Sequence, residues 1–129
     1  MPISVHNIDN KYTLVKCEGD ISVDDFVKAN EYIYSELDES LAKYQIVDVT
    51  DVTKTVMSTA DIQKIALQDI NAEKSLGQIA IALVVVKDLH FGLSRMWEAY
   101  SSTSGIKTMV FRDLVAAQEW ILRMLEKQP

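Results

Sequence analysis

QIAIALVVVKDLHFGLSRMWEAYSSTSGIKTMVFRDLVAAQEWILRML, residues Gln78 to Leu125, reads strand, helix, strand, helix, with a punctuation residue at each junction. Ile79 to Val86 is an unbroken apolar run. A strand without polar alternation is covered on both faces, which predicts a central strand in a sheet flanked by helices. Asp88 starts a helical pattern over DLHFGLSRMWEAY, Gly105 follows its end, and KTMVF reads as a second strand. Asp113 then opens a last helix over LVAAQEWILRMLEK.

Working towards the N-terminus, Gly77 is placed to stop a helix that Ser58 opens, with Asp61 three residues on as a capping partner and Ile62, Ile65, Ala66 and Ile70 as its inner stripe. Gln45 to Val49 reads as a short strand, and Thr50 to Met57 as a polar connector. Ser22 with Asp25 resembles a capping box for a helix that presents Phe26, Asn30, Ile33, Tyr34 and Leu37 on one face. Ile3 to His6 and Tyr12 to Glu18 read as two strands joined by the turn cluster Asn7-Ile8-Asp9-Asn10, with Gly19 ending the second. The order is β-β-α-β-α-β-α-β-α. Right-handed crossovers make the last three strands parallel, and the first two pair as a hairpin. The expectation is an α/β protein with a mixed five-stranded sheet and helices packed on it, one domain over residues 1–129.

Composition narrows the class of function. The chain has 129 residues, 48% hydrophobic and 25% charged, with a net charge of −6. That balance is globular, and its acidity disfavours nucleic acid and anionic membranes, which need a basic footprint. A lone Cys17 excludes an internal disulfide and suits a reducing compartment. The start MPISVHNID lacks the pattern of a signal peptide, and no apolar run approaches the ~20 residues of a membrane-spanning helix. A cytoplasmic protein without an integral membrane segment is the expectation.

Several stretches resemble one family. VKCEGDIS (15–22) is similar to the strand-Gly signature that opens STAS, or anti-sigma-factor antagonist, domains. IVDVTDVT (46–53) is similar to the strand and turn before their regulatory helix. KDLHFGLSRMWEAYSS (87–102) and VFRDLVAAQEWI (110–121) look closer still to the short stand-alone SpoIIAA-like proteins, also described as STAS/SEC14-like. The resemblance covers nearly the whole chain and implies a SpoIIAA-like fold and a regulatory or protein-interaction role. It also implies a phosphorylation site at the start of the helix after the third strand, here Ser58 or Thr59. The family pattern there is roughly Asp-Ser-x-Gly, whereas this chain has Val56-Met57-Ser58-Thr59-Ala60-Asp61, so the Asp and the Gly are missing. A phosphate suits a helix N-terminus, but Asp61 opposes it, and Ser58 also reads simply as an N-cap.

Two further groups stand out. Ligands of open α/β sheets sit beyond the carboxyl ends of the strands, where this chain places Asp48, Asp51, Thr53, Lys87 and Arg112. Asp88 and Asp113 read there as helix caps; Asp48, between Val47 and Val49, is open between a structural and a ligand-binding role. In the helix from Asp88, Leu89, Leu93, Met96, Trp97 and Tyr100 share one face and are expected in the core. Phe91, Arg95 and Glu98 fall opposite, an expected interaction face for a partner protein or a second copy of the chain. Gly92 beside them suggests a close approach.

No metal-ligand spacing surrounds His6 or His90, and no phosphate loop or nucleophile elbow occurs. Cys17 reads as a small core residue. The expectation is therefore a non-enzymatic regulatory or protein-interaction module without a cofactor. The SEC14-like part of the resemblance implies the alternative, a carrier of a small apolar or lipid-like ligand, its pocket formed between helices or at a dimer interface. An enzyme built on Asp48 and Asp51 ranks last, because nothing nucleophilic accompanies them.

Overall fold

A computed structural model describes residues 2–102 and 105–127. Its elements in chain order are β1 (Ile3–Ile8), β2 (Tyr12–Ile21), α1 (Val23–Glu36), α2 (Glu39–Lys43) and β3 (Tyr44–Thr55), then α3 (Thr59–Leu76), β4 (Ala80–Val84), α4 (Asp88–Ser101), β5 (Lys107–Phe111) and α5 (Leu114–Glu126). The strands form one sheet in the order β1-β2-β3-β4-β5, with β1 antiparallel to β2 and every other pairing parallel. The expected mixed sheet with an antiparallel edge is present. β4 lies between two parallel neighbours, and Ile79, Ala80, Ala82 and Val85 are fully buried. The apolar run loses its cover only at Val86, which is half exposed.

The sequential strand order has a consequence for the layers. Right-handed crossovers that all advance in one direction place their helices on the same face. Accordingly α1, α3 and α4 pack against Val15, Cys17, Val47, Ile79 and Ile81 on one face. Only α5 covers the other, where Ala117 and Ile121 meet Tyr12, Tyr44, Ile46, Ala82 and Val84.

Local chemistry sets the joints. Asp9 and Asn10 both take positive φ, and Lys11 N–H donates to the Ile8 carbonyl at 2.9 Å, closing the β1–β2 hairpin as a primed turn. Ser22 with Asp25 and Ser58 with Asp61 form reciprocal capping boxes, and Gly77 at φ 92 ends α3 with its N–H on the Glu73 carbonyl. Asp113 caps α5 through the Ala116 N–H.

Four local expectations fail. Gly19 does not end β2: at φ 71 it sits inside the strand, where the β2–β3 register slips, and pairing resumes to Ile21. The polar connector from Thr50 is instead the second half of β3, which runs 12 residues to Thr55. It pairs with β2 past the slips, so backbone pairing overrides the polar composition. A short helix, α2, lies between α1 and β3 and buries Leu41 and Ala42; five residues are too few to show helical periodicity. The fourth concerns the phase of α4 and bears directly on the site.

Candidate functional site

β3, β4 and the three helices of one face do not close completely. Between them lies a cavity of about 110 Å³. Its wall is aliphatic: Val47, Val49 and Val52 from β3, Ile81 and Leu83 from β4, and Ile65 from α3. Phe26 of α1 and Trp97 of α4 add aromatic surface. The cavity sits where two apolar clusters meet, and Val47, Phe26 and Met57 belong to both.

Six polar residues also line this space, and the ionisable Asp69 of α3 is only 3% exposed. The Tyr34 hydroxyl of α1 donates to its Oδ1 at 2.5 Å, and the Trp97 Nε1–H of α4 donates to its Oδ2 at 2.9 Å. Gln45 Nε2 of β3 in turn donates to the Tyr34 oxygen at 3.0 Å. One carboxyl thus ties three helices and the sheet together around the cavity. Burial pushes its pKa up to about 6, against the two hydrogen bonds, which favour the ionised form. Tyr34 is pushed well above its ordinary value, chiefly by burial and then by the Asp69 charge, so the shared proton stays on the phenol. His90 also lines the cavity; burial, then Lys87, holds it below the usual imidazole range and favours the neutral ring. Thr55 at the end of β3 lines it too; its hydroxyl is buried and has no hydrogen-bond partner among the described residues.

This cavity explains the phase of α4. Leu89, expected in the core, is 67% exposed. The buried stripe is His90, Ser94, Trp97 and Ser101, one position further along, while Leu93, Met96 and Tyr100 are half-buried at its flank. Apolar periodicity misses this stripe because polar residues occupy three of its four places. Two of those, His90 and Ser94, face the cavity, and the Ser101 hydroxyl donates to the Trp97 carbonyl.

Phe91, Arg95 and Glu98 do lie together: Arg95 is 6.0 Å from the Phe91 ring centre and 3.6 Å from Glu98. Phe91 is half-buried, because Arg112 from the loop after β5 packs over its ring at 4.3 Å. Around Gly92 there is open space, with nothing among the described residues within 4 Å of a notional Cβ.

Of the expected sheet-edge residues, Asp48 and Asp51 share Lys16 as a partner, while Thr53, Lys87 and Arg112 each have a separate one. Asp48 is buried and accepts from the Thr50 N–H at 2.9 Å, the Thr50 hydroxyl at 2.7 Å and Lys16 Nζ at 3.2 Å. Burial would raise its pKa, but the Thr50 bonds and Lys16 outweigh burial and hold it below the carboxylate range. Lys16, a residue the sequence reading passes over, also pairs with exposed Asp51 at 2.8 Å. Thr53 donates to Asp20 at 3.0 Å, Lys87 to the Val52 carbonyl at 2.6 Å, and Arg112 to the Val86 carbonyl at 2.7 Å. Each is engaged in joining neighbouring segments. Ser58 and Thr59 are exposed at the start of α3, and the Ser58 hydroxyl accepts the Asp61 N–H at 3.1 Å.

Among the described residues no group of three or more His, Cys, Asp or Glu side chains is arranged to hold a metal ion. Among the described residues no helix is long and apolar enough to cross a membrane. Cys17 is fully buried, and burial first, then the Asp48 charge, raises its thiol to about 12, far from a nucleophile's range.

No protein-family model matches this sequence, and no curated protein matches it. Solved structures do. The anti-sigma factor antagonist SpoIIAA in its unphosphorylated form superposes with a TM-score of 0.61 at 9% identity, over 95% of this chain and 96% of that one. An uncharacterised protein of the DUF3478 family with a SpoIIAA-like fold, from Shewanella loihica, superposes with a TM-score of 0.52 at 13% identity, over 92% of this chain and 91% of that one. The fold of this chain is SpoIIAA-like.

Proposed function

We propose that this chain is a non-enzymatic binding module that takes up a small apolar, lipid-like ligand between its sheet and the helices α1, α3 and α4. The observation that carries this reading is the aliphatic cavity, which a well-packed core of this size would fill. Nothing lining the cavity is a poised nucleophile, which favours binding over chemistry. Mass spectrometry of the protein isolated from its host under gentle conditions tests the reading. Wild type is expected to carry an extra apolar mass, and Leu93→Trp, which fills the cavity from α4, is expected to lose it. An empty wild type whose stability Leu93→Trp raises would mean the cavity is only a packing defect.

A second reading, a regulatory protein-interaction module, draws on the fold it shares with an anti-sigma factor antagonist. In that reading the contact surface is Phe91, Arg95 and Glu98, bordered by exposed Val86 and Leu89, and it meets a partner protein or a second copy of the chain. Ser58 or Thr59 is the phosphate acceptor. The two readings are compatible, since α4 carries both the cavity wall and the outer face.

A further inference from the structure

The cavity contains an electrostatic imbalance that narrows its ligand beyond being apolar. Asp69 is buried without a cation: among the described residues no Lys or Arg pairs with it, and no cation contributes to its titration. The groups that meet it are neutral, namely Tyr34 from α1, Trp97 from α4 and, through Tyr34, Gln45 from β3. His90, the other titratable group in the cavity, favours its neutral form, and Lys87 acts on His90 while its own Nζ is tied to the Val52 carbonyl. Buried carboxylates are ordinarily paired, because an isolated charge in a low-dielectric interior is costly.

On the basis of the cavity reading above, we infer that the ligand is a small apolar molecule ending in a protonated amine, with its ammonium directed to Asp69 and its body against Phe26, Trp97 and the aliphatic wall. A buried ion pair usually gains little, because both partners must be desolvated to form it. Here folding has already desolvated the carboxylate, so only the ammonium sheds water on binding. Trp97 and Phe26 line the same space, and aromatic side chains attract a cation. The same field rejects carboxylate-ended molecules such as fatty acids, which would place a second negative charge beside Asp69. At about 110 Å³ the space is smaller than the ~150 Å³ apolar cavity that takes up benzene, so it limits the body to about six carbon atoms at most.

Three probes that share a benzyl group, benzylamine, benzyl alcohol and phenylacetate, separate the possibilities by calorimetric titration at pH 7.5, with neutral phenylacetamide as the size control for phenylacetate. Benzylamine is expected to bind about tenfold more tightly than benzyl alcohol, the usual worth of a charge-assisted hydrogen bond, and phenylacetate not at all. Asp69→Asn should abolish the amine's advantage and keep the alcohol's affinity. Should that variant not fold, wild type and His90→Asn titrated from pH 8 to 5 give the same answer, because the amine's advantage must shrink as Asp69 takes up its proton whether or not His90 is present. Benzyl alcohol or phenylacetate binding as tightly as benzylamine would overturn the amine preference and leave the cavity reading intact. Binding of none of the three, with no co-purified ligand, would overturn the cavity reading itself.

Discussion

At the residue scale, Asp69 has the largest consequence for behaviour in solution. Its pKa is raised from an ordinary 3.8 to about 6, so the native state binds this proton more tightly than the unfolded chain does. The sign follows from linkage: the stabilisation from Asp69 is full below about pH 4 and is lost as pH rises through about 6. The interval corresponds to roughly 3 kcal/mol at most, an upper figure for a group in a coupled network. Asp48 acts in the opposite sense, since its lowered pKa supplies stability that disappears only in stronger acid. Denaturant unfolding of wild type and Asp69→Asn at pH 5 and pH 7.5 isolates the first effect. Wild type should exceed the variant by more at pH 5 than at pH 7.5; a constant difference would mean that Asp69 has an ordinary pKa.

At the element scale, β4 and α4 behave differently under substitution. Ala82 is fully buried in β4 between two parallel strands and beneath α5. Ala82→Asp places an unpaired charge in a dry interior, at a cost on the order of 5 kcal/mol, comparable with the ~5–15 kcal/mol that holds a domain of this kind together. Circular dichroism should show an unfolded or insoluble chain; a folded variant with the wild-type midpoint would contradict the interior position of β4. In α4 the exposed Leu89 gives the reverse result. Leu89→Gln should change stability by less than about 0.5 kcal/mol, whereas a loss of 2–5 kcal/mol would restore the phase read from apolar spacing.

At the scale of the whole molecule, the asymmetry of the layers matters. Three helices on one face of a five-stranded sheet leave a seam where they meet, and the cavity occupies it. On the outside of α4, Phe91 and Arg95 are the anchors that an interface would use. Replacing both with Ala should weaken self-association or partner capture by more than about 1 kcal/mol in sedimentation or pull-down measurements, while monomer stability falls only by the modest worth of the Phe91–Arg112 contact. Unchanged mass and unchanged partners would make this face ordinary surface. If a kinase acts on the chain, phosphopeptide mapping should find label at Ser58 or Thr59, and label found only elsewhere would remove that form of regulation.

Elements whose stability is local and repetitive were legible in the sequence. The apolar run of β4, the reciprocal caps at Ser22 and Ser58, the stop at Gly77 and the cap at Asp113 all depend on neighbours a few residues away, so the chain states them directly. The long β3 was not legible, because backbone pairing with β2 holds its polar second half. Nor was the site. Tyr34, Asp69 and Trp97 stand 35 and 28 residues apart along the chain and meet only when three helices dock on one face. The pattern that finds helices assumes that the inward stripe is apolar, and α4 breaks that assumption where His90 and Ser94 turn towards the cavity. Local periodicity determined which segments became strands and helices. Only the packing of those helices decided which polar side chains were enclosed, because enclosure depends on distances between segments that no local pattern encodes.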